Sequence, residues 1–313
     1  GGGPLLTWPM DASSDGTWTA ELPGDRKGLF YTFGIFYDGR WLSETPGVRA
    51  KAVGVNGDRA AIVDLRETDP EGWEKDLRPP MSSPTDIVIY EMHHRDLSIA
   101  PDSGVKHKGK YLALTEEGTR SAEGLATGLD HLKELGVTHV HLLPSFDFGS
   151  IDESRLQDGV YNWGYDPKNY FVPEGSYATD PYDPAVRIRE FKQMVRSLHR
   201  NGIRVVMDAV YNHTHRTEES NFSLTVPGYY YRHEADGSFS DATGCGNETA
   251  SERAMMRRLI VDAVCYWAEE YHVDGFRFDL MGVHDIGTMN EVRRALDRID
   301  PSILLYGEGW TSR

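Results

Sequence analysis

Residues 274–282 read "DGFRFDLMG". In an extended strand, alternate side chains fall on opposite faces. Phe276, Phe278 and Leu280 would then share an oily face, and Arg277 and Asp279 would share the other. Burying a charge is costly unless it is paired. Arg277 and Asp279 therefore belong either to a structural ion network or to an active site. An isolated Arg-x-Asp favours the network, so the choice depends on the rest of the chain.

Four other apolar runs have the same strand character: "DIVIYEM" (86–92), "VTHVHLLP" (137–144), "IRVVMDAV" (203–210) and "ILLYGEGW" (303–310). Amphipathic helical patterns separate them at 124–135, 185–200, 251–271 and 286–298. In the third helix Met256, Ile260, Ala263, Val264 and Trp267 recur at helical spacing, which marks them as core. Thr249 and Glu252 read as its capping box. Alternation of buried strands with helices means a parallel sheet. No G-x-G-x-x-G or P-loop follows the first strand, and long stretches, 145–184 and 211–248, follow the second and third strands. Long loops at strand C-termini suit a (β/α)8 TIM barrel, whose active site is built from them. The expected fold is α/β: a (β/α)8 barrel truncated after about five strands.

A small β-sandwich is expected ahead of the barrel, over residues 1–67. "GTWTAEL", "LFYTFGIFYDGRWL" and "AAIVDL" alternate aromatic or β-branched residues with polar ones, and Asp15-Gly16 and Asp38-Gly39 are hairpin-turn pairs. Residues 68–84, "TDPEGWEKDLRPPMSSP", read from composition as a linker. Residues 85–313 would form the N-terminal part of the barrel.

A net charge of −16, from 33 basic and 49 acidic residues, argues against a nucleic-acid partner and suits a neutral ligand. Cys245 and Cys265 lack metal-type spacing. No apolar run is long enough for a membrane span. The opening "GGGPLLTWPM" has neither an initiator methionine nor a leader pattern, so the chain reads as a segment of a longer protein of undefined location and oligomeric state.

Three consecutive strands end in a carboxylate: Asp208, Asp279 and Glu308. In a barrel those ends converge on one mouth. One such acid could simply cap a following helix. Three of them, with Arg277 on the same face as Asp279 and His213 just past Asp208, favour an active site. Two carboxyl groups in opposite protonation states can cleave an acetal, one attacking the sugar carbon and the other protonating the leaving oxygen. Asp208, Asn212, His213 and Asp279 could in principle ligate a metal, but close His-pair spacing is missing. No G-x-S-x-G supports a serine hydrolase.

These residues carry a resemblance. "DAVYNH" (208–213), "GFRFDLMG" (275–282) and "YGEGW" (306–310) resemble three ordered regions of the α-amylase superfamily. "YNWGYDP" (161–167) is similar to the heptapeptide of type I pullulanases, which cut α-1,6 branches, and "LLPSFDFGSIDE" (142–153) and "GCGNETASER" (244–253) also resemble that family. "LPGDRKGLFYTF" and "KAVGVNGDRAAIVDL" resemble the end of the starch-binding-type sandwich that precedes the pullulanase barrel.

The resemblance implies a retaining glycoside hydrolase acting on α-glucans. It implies that Asp279 is the nucleophile and Glu308 the acid and then the base, with Glu308 raised in pKa by burial and neighbouring negative charge. Arg277, flanked by Asp208, keeps Asp279 ionised and aimed. His213 hydrogen-bonds the sugar, Tyr165 is its stacking platform, and Trp163 and Trp310 offer further aromatic surface. His93 and His94 read as packing or polar rim. No cofactor is required; calcium is possible, with Asn212 resembling a ligand in some α-amylases. The family's fourth region, with its third carboxylate, is expected beyond Glu308, so the segment alone should be inactive. The alternatives are an isoamylase or branching enzyme of the same superfamily, or a non-catalytic glucan-binding protein.

Overall fold

The five expected strands form, each shorter than its apolar run, and they pair in chain order. The computed structural model describes residues 5–310. Strands β1 (Ile89–Met92), β2 (His139–Leu142), β3 (Arg204–Ala209), β4 (Gly275–Phe278) and β5 (Leu304–Gly307) make one all-parallel sheet in which each lies beside the next. A doubly wound sheet reverses its order at a switch point. A sheet that adds each strand beside the last has the order of a barrel wall. Helices α1 (Gly128–Leu135), α2 (Pro184–Arg200), α3 (Ala254–Glu270) and α4 (Ile286–Ile299) lie in the successive crossovers. The architecture is therefore α/β of the TIM-barrel type.

Strand β4 follows its sequence pattern, with Phe276 and Phe278 fully buried. Gly275 lies where neighbouring strands press closest: a Cβ there would sit 2.9 Å from Leu304 Cβ and 3.0 Å from Val206 Cγ2. Leu280 departs from the expectation of a core residue. It is half-buried and left-handed (φ 43°, ψ 50°), because the chain turns there instead of continuing the strand. The α3 stripe is buried as read, and Trp267 stacks on Tyr271 at 4.5 Å while donating to Tyr170 O at 2.9 Å. The capping box is not formed. The helix starts at Ala254 with Arg253 as its N-cap; Thr249 Oγ1 instead donates to Tyr211 O at 2.6 Å, and Glu252 pairs with Arg232.

Residues 5–67 contain two-residue antiparallel pairs and no α-helix among the described residues. Asp38 and Gly39 both have positive φ (48° and 77°), as a tight hairpin turn between Phe36–Tyr37 and Arg40–Trp41 requires. This segment meets the barrel through Arg49–Asp262 at 2.7 Å and Thr45 Oγ1 to Asn221 Oδ1 at 2.9 Å.

Segment 68–84 lies against the end of the sheet opposite the strand C-termini. Trp73 is buried and stacks on His272 at 4.0 Å. Asp76 binds His199 Nδ1 at 2.7 Å and His272 Nδ1 at 2.8 Å, and His199 Nε2 bonds Asp274 at 2.7 Å. Lys192 reaches Asp69 and Glu270, both at 2.5 Å, and Arg204 Nε donates to Pro79 O at 2.7 Å.

Candidate active site

Parallel register brings the charged residues of three strands together. Asp208 on β3 is the register partner of Arg277 on β4, and Arg277 is the partner of Tyr306 on β5. Asp279 and Glu308 each follow one residue after their strand. Arg277 Nη1 lies 2.9 and 3.0 Å from the two Asp208 oxygens and 3.0 Å from Asp279 Oδ1. Its other terminal nitrogen, Nη2, binds Glu308 Oε1. One guanidinium thus joins all three strand-end carboxylates. The Leu280 turn adds a fourth contact, its N–H donating to Glu308 Oε2 at 3.1 Å.

The electrostatics differ from the expectation for Asp279. Burial pushes its carboxyl up to about 6; hydrogen bonding from Asn212 opposes this, Asp208 reinforces it, Arg277 opposes it and Glu308 reinforces it. Arg277 does favour the carboxylate, but desolvation outweighs it. Burial also disfavours the Arg277 charge, yet Asp208 and Asp279 more than offset that and hold it protonated.

Tyr165 is tied down at both ends. Its hydroxyl donates to Asp208 Oδ2 at 2.8 Å, and its carbonyl lies 2.7 Å from His213 Nε2. Burial, then Asp208, pushes its phenol well up, so it stays a donor. His213 Nδ1 faces Asn212 Oδ1 at 2.5 Å; both ring nitrogens thus face acceptors, and because burial lowers its pKa the neutral ring can donate to only one of them. Trp163 is 61% exposed and lines a cleft of about 680 Å³ with Tyr165, His213, Asp279, Leu280 and Glu308. Trp310, 68% exposed, is outside that lining. A second cleft of about 740 Å³, between residues 43–58 and the 149–224 loops, holds none of the expected site residues.

Two site residues were not legible as such. Asn212 orients Asp279: its Nδ2 donates to the Asp279 carbonyl and to Oδ2, and its oxygen faces His213, so it is not presented to a metal. His141 lies 3.2 Å from Asp208 Oδ2 and 3.5 Å from Glu91 Oε2. Its place in "THVHLL" marks it as inward-facing only once the register is known. His93 and His94 are buried, His93 bonding Asn162 O at 2.8 Å and His94 bonding Ser145 Oγ at 3.0 Å.

Away from the mouth, Asp147, Glu153 and Glu174 form a buried acidic cluster with one oxygen from each within 4.8 Å of the others. Arg187 is fully buried among them, with Nη1 at 2.9 Å from Asp147 and Nη2 at 2.7 Å from Glu153. The cluster already contains a cation, so its residues as arranged do not fit a calcium ion.

The α-amylase catalytic-domain family (Alpha amylase, catalytic domain) matches residues 92–233. Pullulanase of Bacillus subtilis (strain 168) is 48% identical over 97% of this chain and 42% of its own length. Pullulanase 1, chloroplastic, of Arabidopsis thaliana is 40% identical over 83% of this chain and 31% of its length. The crystal structure of a Paenibacillus barengoltzii pullulanase in complex with maltohexaose and α-cyclodextrin superposes with a TM-score of 0.97 at 57% identity, covering 99% of this chain and 48% of that one. The chain thus spans less than half the length of these relatives.

Proposed function

The chain belongs with the pullulanases of the α-amylase superfamily, and from that premise we propose that the protein hydrolyses α-1,6-glucosidic branch linkages in pullulan, amylopectin or related α-glucans with retention of configuration. The observation that carries this reading is the single guanidinium of Arg277, which binds Asp279 through Nη1 and Glu308 through Nη2. Two nitrogens on one carbon hold the two carboxyl groups a few ångströms apart. A retaining glycosidase needs its pair at about 5–5.5 Å.

Asp279 is the nucleophile. It attacks the anomeric carbon as the bond to the leaving oxygen breaks, forming a glycosyl-enzyme ester. Glu308 gives its proton to that oxygen. Glu308 then takes a proton from water as the water attacks the anomeric carbon, breaking its bond to the Asp279 oxygen and freeing the carboxylate. Glu308 Oε1 faces Arg277 Nη2 and Oε2 accepts from Leu280 N, so the oxygen that carries the proton must turn it toward the leaving oxygen in the first step. At neutral pH a carboxyl near 6 is mostly ionised, as the nucleophile requires.

Tyr165 offers its ring to the sugar while its hydroxyl stays on Asp208, and Trp163 and Trp310 extend the aromatic surface along the glucan. His213 reaches a sugar hydroxyl only by giving up Tyr165 O. The chemistry needs no cofactor. Residues 1–67 are assigned to a starch-binding-type sandwich and 85–313 to the first part of the barrel; 68–84 joins them but packs on the barrel through Trp73, Asp69 and Asp76, so it is not a free linker.

The test is Asp279→Asn and Glu308→Gln in the protein encoded by the complete reading frame. Each should lower pullulan hydrolysis by at least about 10⁴-fold while maltooligosaccharide binding persists. Full turnover in Asp279→Asn would overturn the assignment.

A further inference from the structure

The acidic cluster at the root of the 145–184 loop brings six carboxylate oxygens together. Each of its six carboxylate oxygens already accepts a hydrogen bond from the protein. Asp147 takes Arg187 Nη1 and Asn169 Nδ2, at 2.9 and 2.7 Å. Glu153 takes Gly175 N at 3.0 Å, Asn56 N at 2.8 Å and Arg187 Nη2 at 2.7 Å. Glu174 takes Ser176 N at 2.8 Å and Phe148 N at 3.0 Å. Two main-chain carbonyls, Pro173 O at 3.4 Å and Pro181 O at 3.3 Å, also point at the guanidinium. Three carboxylates with two carbonyls are the ligand set of a calcium site, yet a side chain of the protein fills the middle.

The cage also has a defined position in the chain. Asp147 lies in the strand Phe146–Phe148, Glu174 directly follows its antiparallel partner Pro167–Pro173, and Glu153 opens the turn between them. The chain between these anchors carries Trp163 and Tyr165 to the cleft. Arg187 comes from outside, on α2.

We infer that Arg187 is the resident cation of this cage: it occupies the place of a divalent ion and positions the ribbon that carries Trp163 and Tyr165. Charge agrees with the geometry. One guanidinium cannot balance three buried carboxylates, and burial with mutual repulsion pushes Asp147 and Glu174 upward. Gly175 shows how tightly the space is filled, because a Cβ there would collide with both Glu153 and Arg187. Removing the guanidinium would strip Asp147 Oδ1 and the Pro173 and Pro181 carbonyls of their cation and leave an excess of negative charge there, suited to a hard divalent cation.

The experiment uses Arg187→Ala, Arg187→Lys and Arg187→Ala/Glu174→Gln in the protein encoded by the complete reading frame. Thermal unfolding is followed in EDTA and in calcium chloride. In EDTA, Arg187→Ala should melt roughly 5–10 °C below the native protein. Calcium should restore most of that loss, and terbium should bind this variant with one extra luminescent site. The double variant should not be rescued. Arg187→Lys, which keeps the charge without the fork, should fall between and respond less to calcium. Native-like melting of Arg187→Ala in EDTA would overturn the inference, as would a loss that calcium leaves unrescued. So would a native protein that EDTA destabilises and Asp147→Asn makes indifferent to EDTA. These readouts do not depend on the glucan-hydrolase reading. The activity arm rests on that reading: Arg187→Ala should raise KM for pullulan more than it lowers kcat, and calcium should reverse the change.

Discussion

Asn212 Nδ2 stands 2.9 Å from both the main-chain oxygen and Oδ2 of Asp279. This donor opposes the burial that lifts the Asp279 carboxyl to about 6. A hydrogen bond to a charged group contributes roughly 1.5–3 kcal/mol, and about 1.4 kcal/mol is one pKa unit. Asn212→Ala should therefore move the acidic limb of the kcat/KM profile on pullulan from near pH 6 to about one unit higher. In the proposed mechanism activity requires the ionised form, so the loss appears as pH falls through that value. An unmoved limb would mean that a group other than Asp279 sets it.

The proposed mechanism gives Tyr165 two separable tasks. Tyr165→Phe keeps the ring and removes the donor to Asp208 Oδ2. It should lower kcat by about tenfold or more, because losing one partner of a buried charged acceptor costs roughly 1–3 kcal/mol. Tyr165→Ala should in addition raise KM by roughly tenfold, the scale of one ring contact. Steady-state kinetics on pullulan distinguish the two; equal KM values in both variants would rule out the platform role.

Leu280 holds a left-handed backbone (φ 43°) directly after Asp279 and donates its N–H to Glu308. That conformation costs an L-residue about 1–2 kcal/mol. Glycine would remove the strain but add roughly 0.5–1 kcal/mol of chain entropy. Leu280→Gly should leave stability within about 1 kcal/mol of native and lower kcat through a looser Asp279–Glu308 geometry. Denaturant unfolding together with kcat measures both; an unchanged kcat would remove the turn from the mechanism.

His199 provides a stability test away from the mouth. Burial opposes its charge, but Asp274 and Asp76 raise its pKa to about 9. A histidine raised above its unfolded value near 6.5 stabilises fully below that value, and the contribution is lost as pH rises through about 9. The native protein should lose stability from pH 7 to 9.5. His199→Ala should cost about 3–5 kcal/mol at pH 7 and show a flatter slope in that window. Urea unfolding at several pH values reads this, and parallel slopes would overturn it.

The strand order was legible because the apolar runs and helical stripes had two different periods, and the carboxylates at three strand ends marked the mouth. What remained hidden depended on contacts between distant elements. Asn212 read as a possible metal ligand because its amide orientation is fixed only by Asp279 across the sheet. Leu280 read as core because alternation assumes that the strand continues. The Thr249 capping box failed because its residues are used by Tyr211 and Arg232, which sequence spacing does not reveal. Desolvation of Asp279, which outweighs Arg277, follows from the packing around it and not from the Arg-x-Asp pattern.

The ties along residues 69–79 limit how portable the barrel is. By composition this stretch looks like a place to cut, yet Asp69 and Asp76 are ion-pair partners of the buried Lys192 and His199, and Pro79 O is the acceptor for Arg204. A cut just after residue 79 would leave α2 with buried cations that have lost those partners. Recombination between homologues, or grafting of a different N-terminal module, should therefore place its junction before Asp69, so that the donor barrel keeps its own counter-charges.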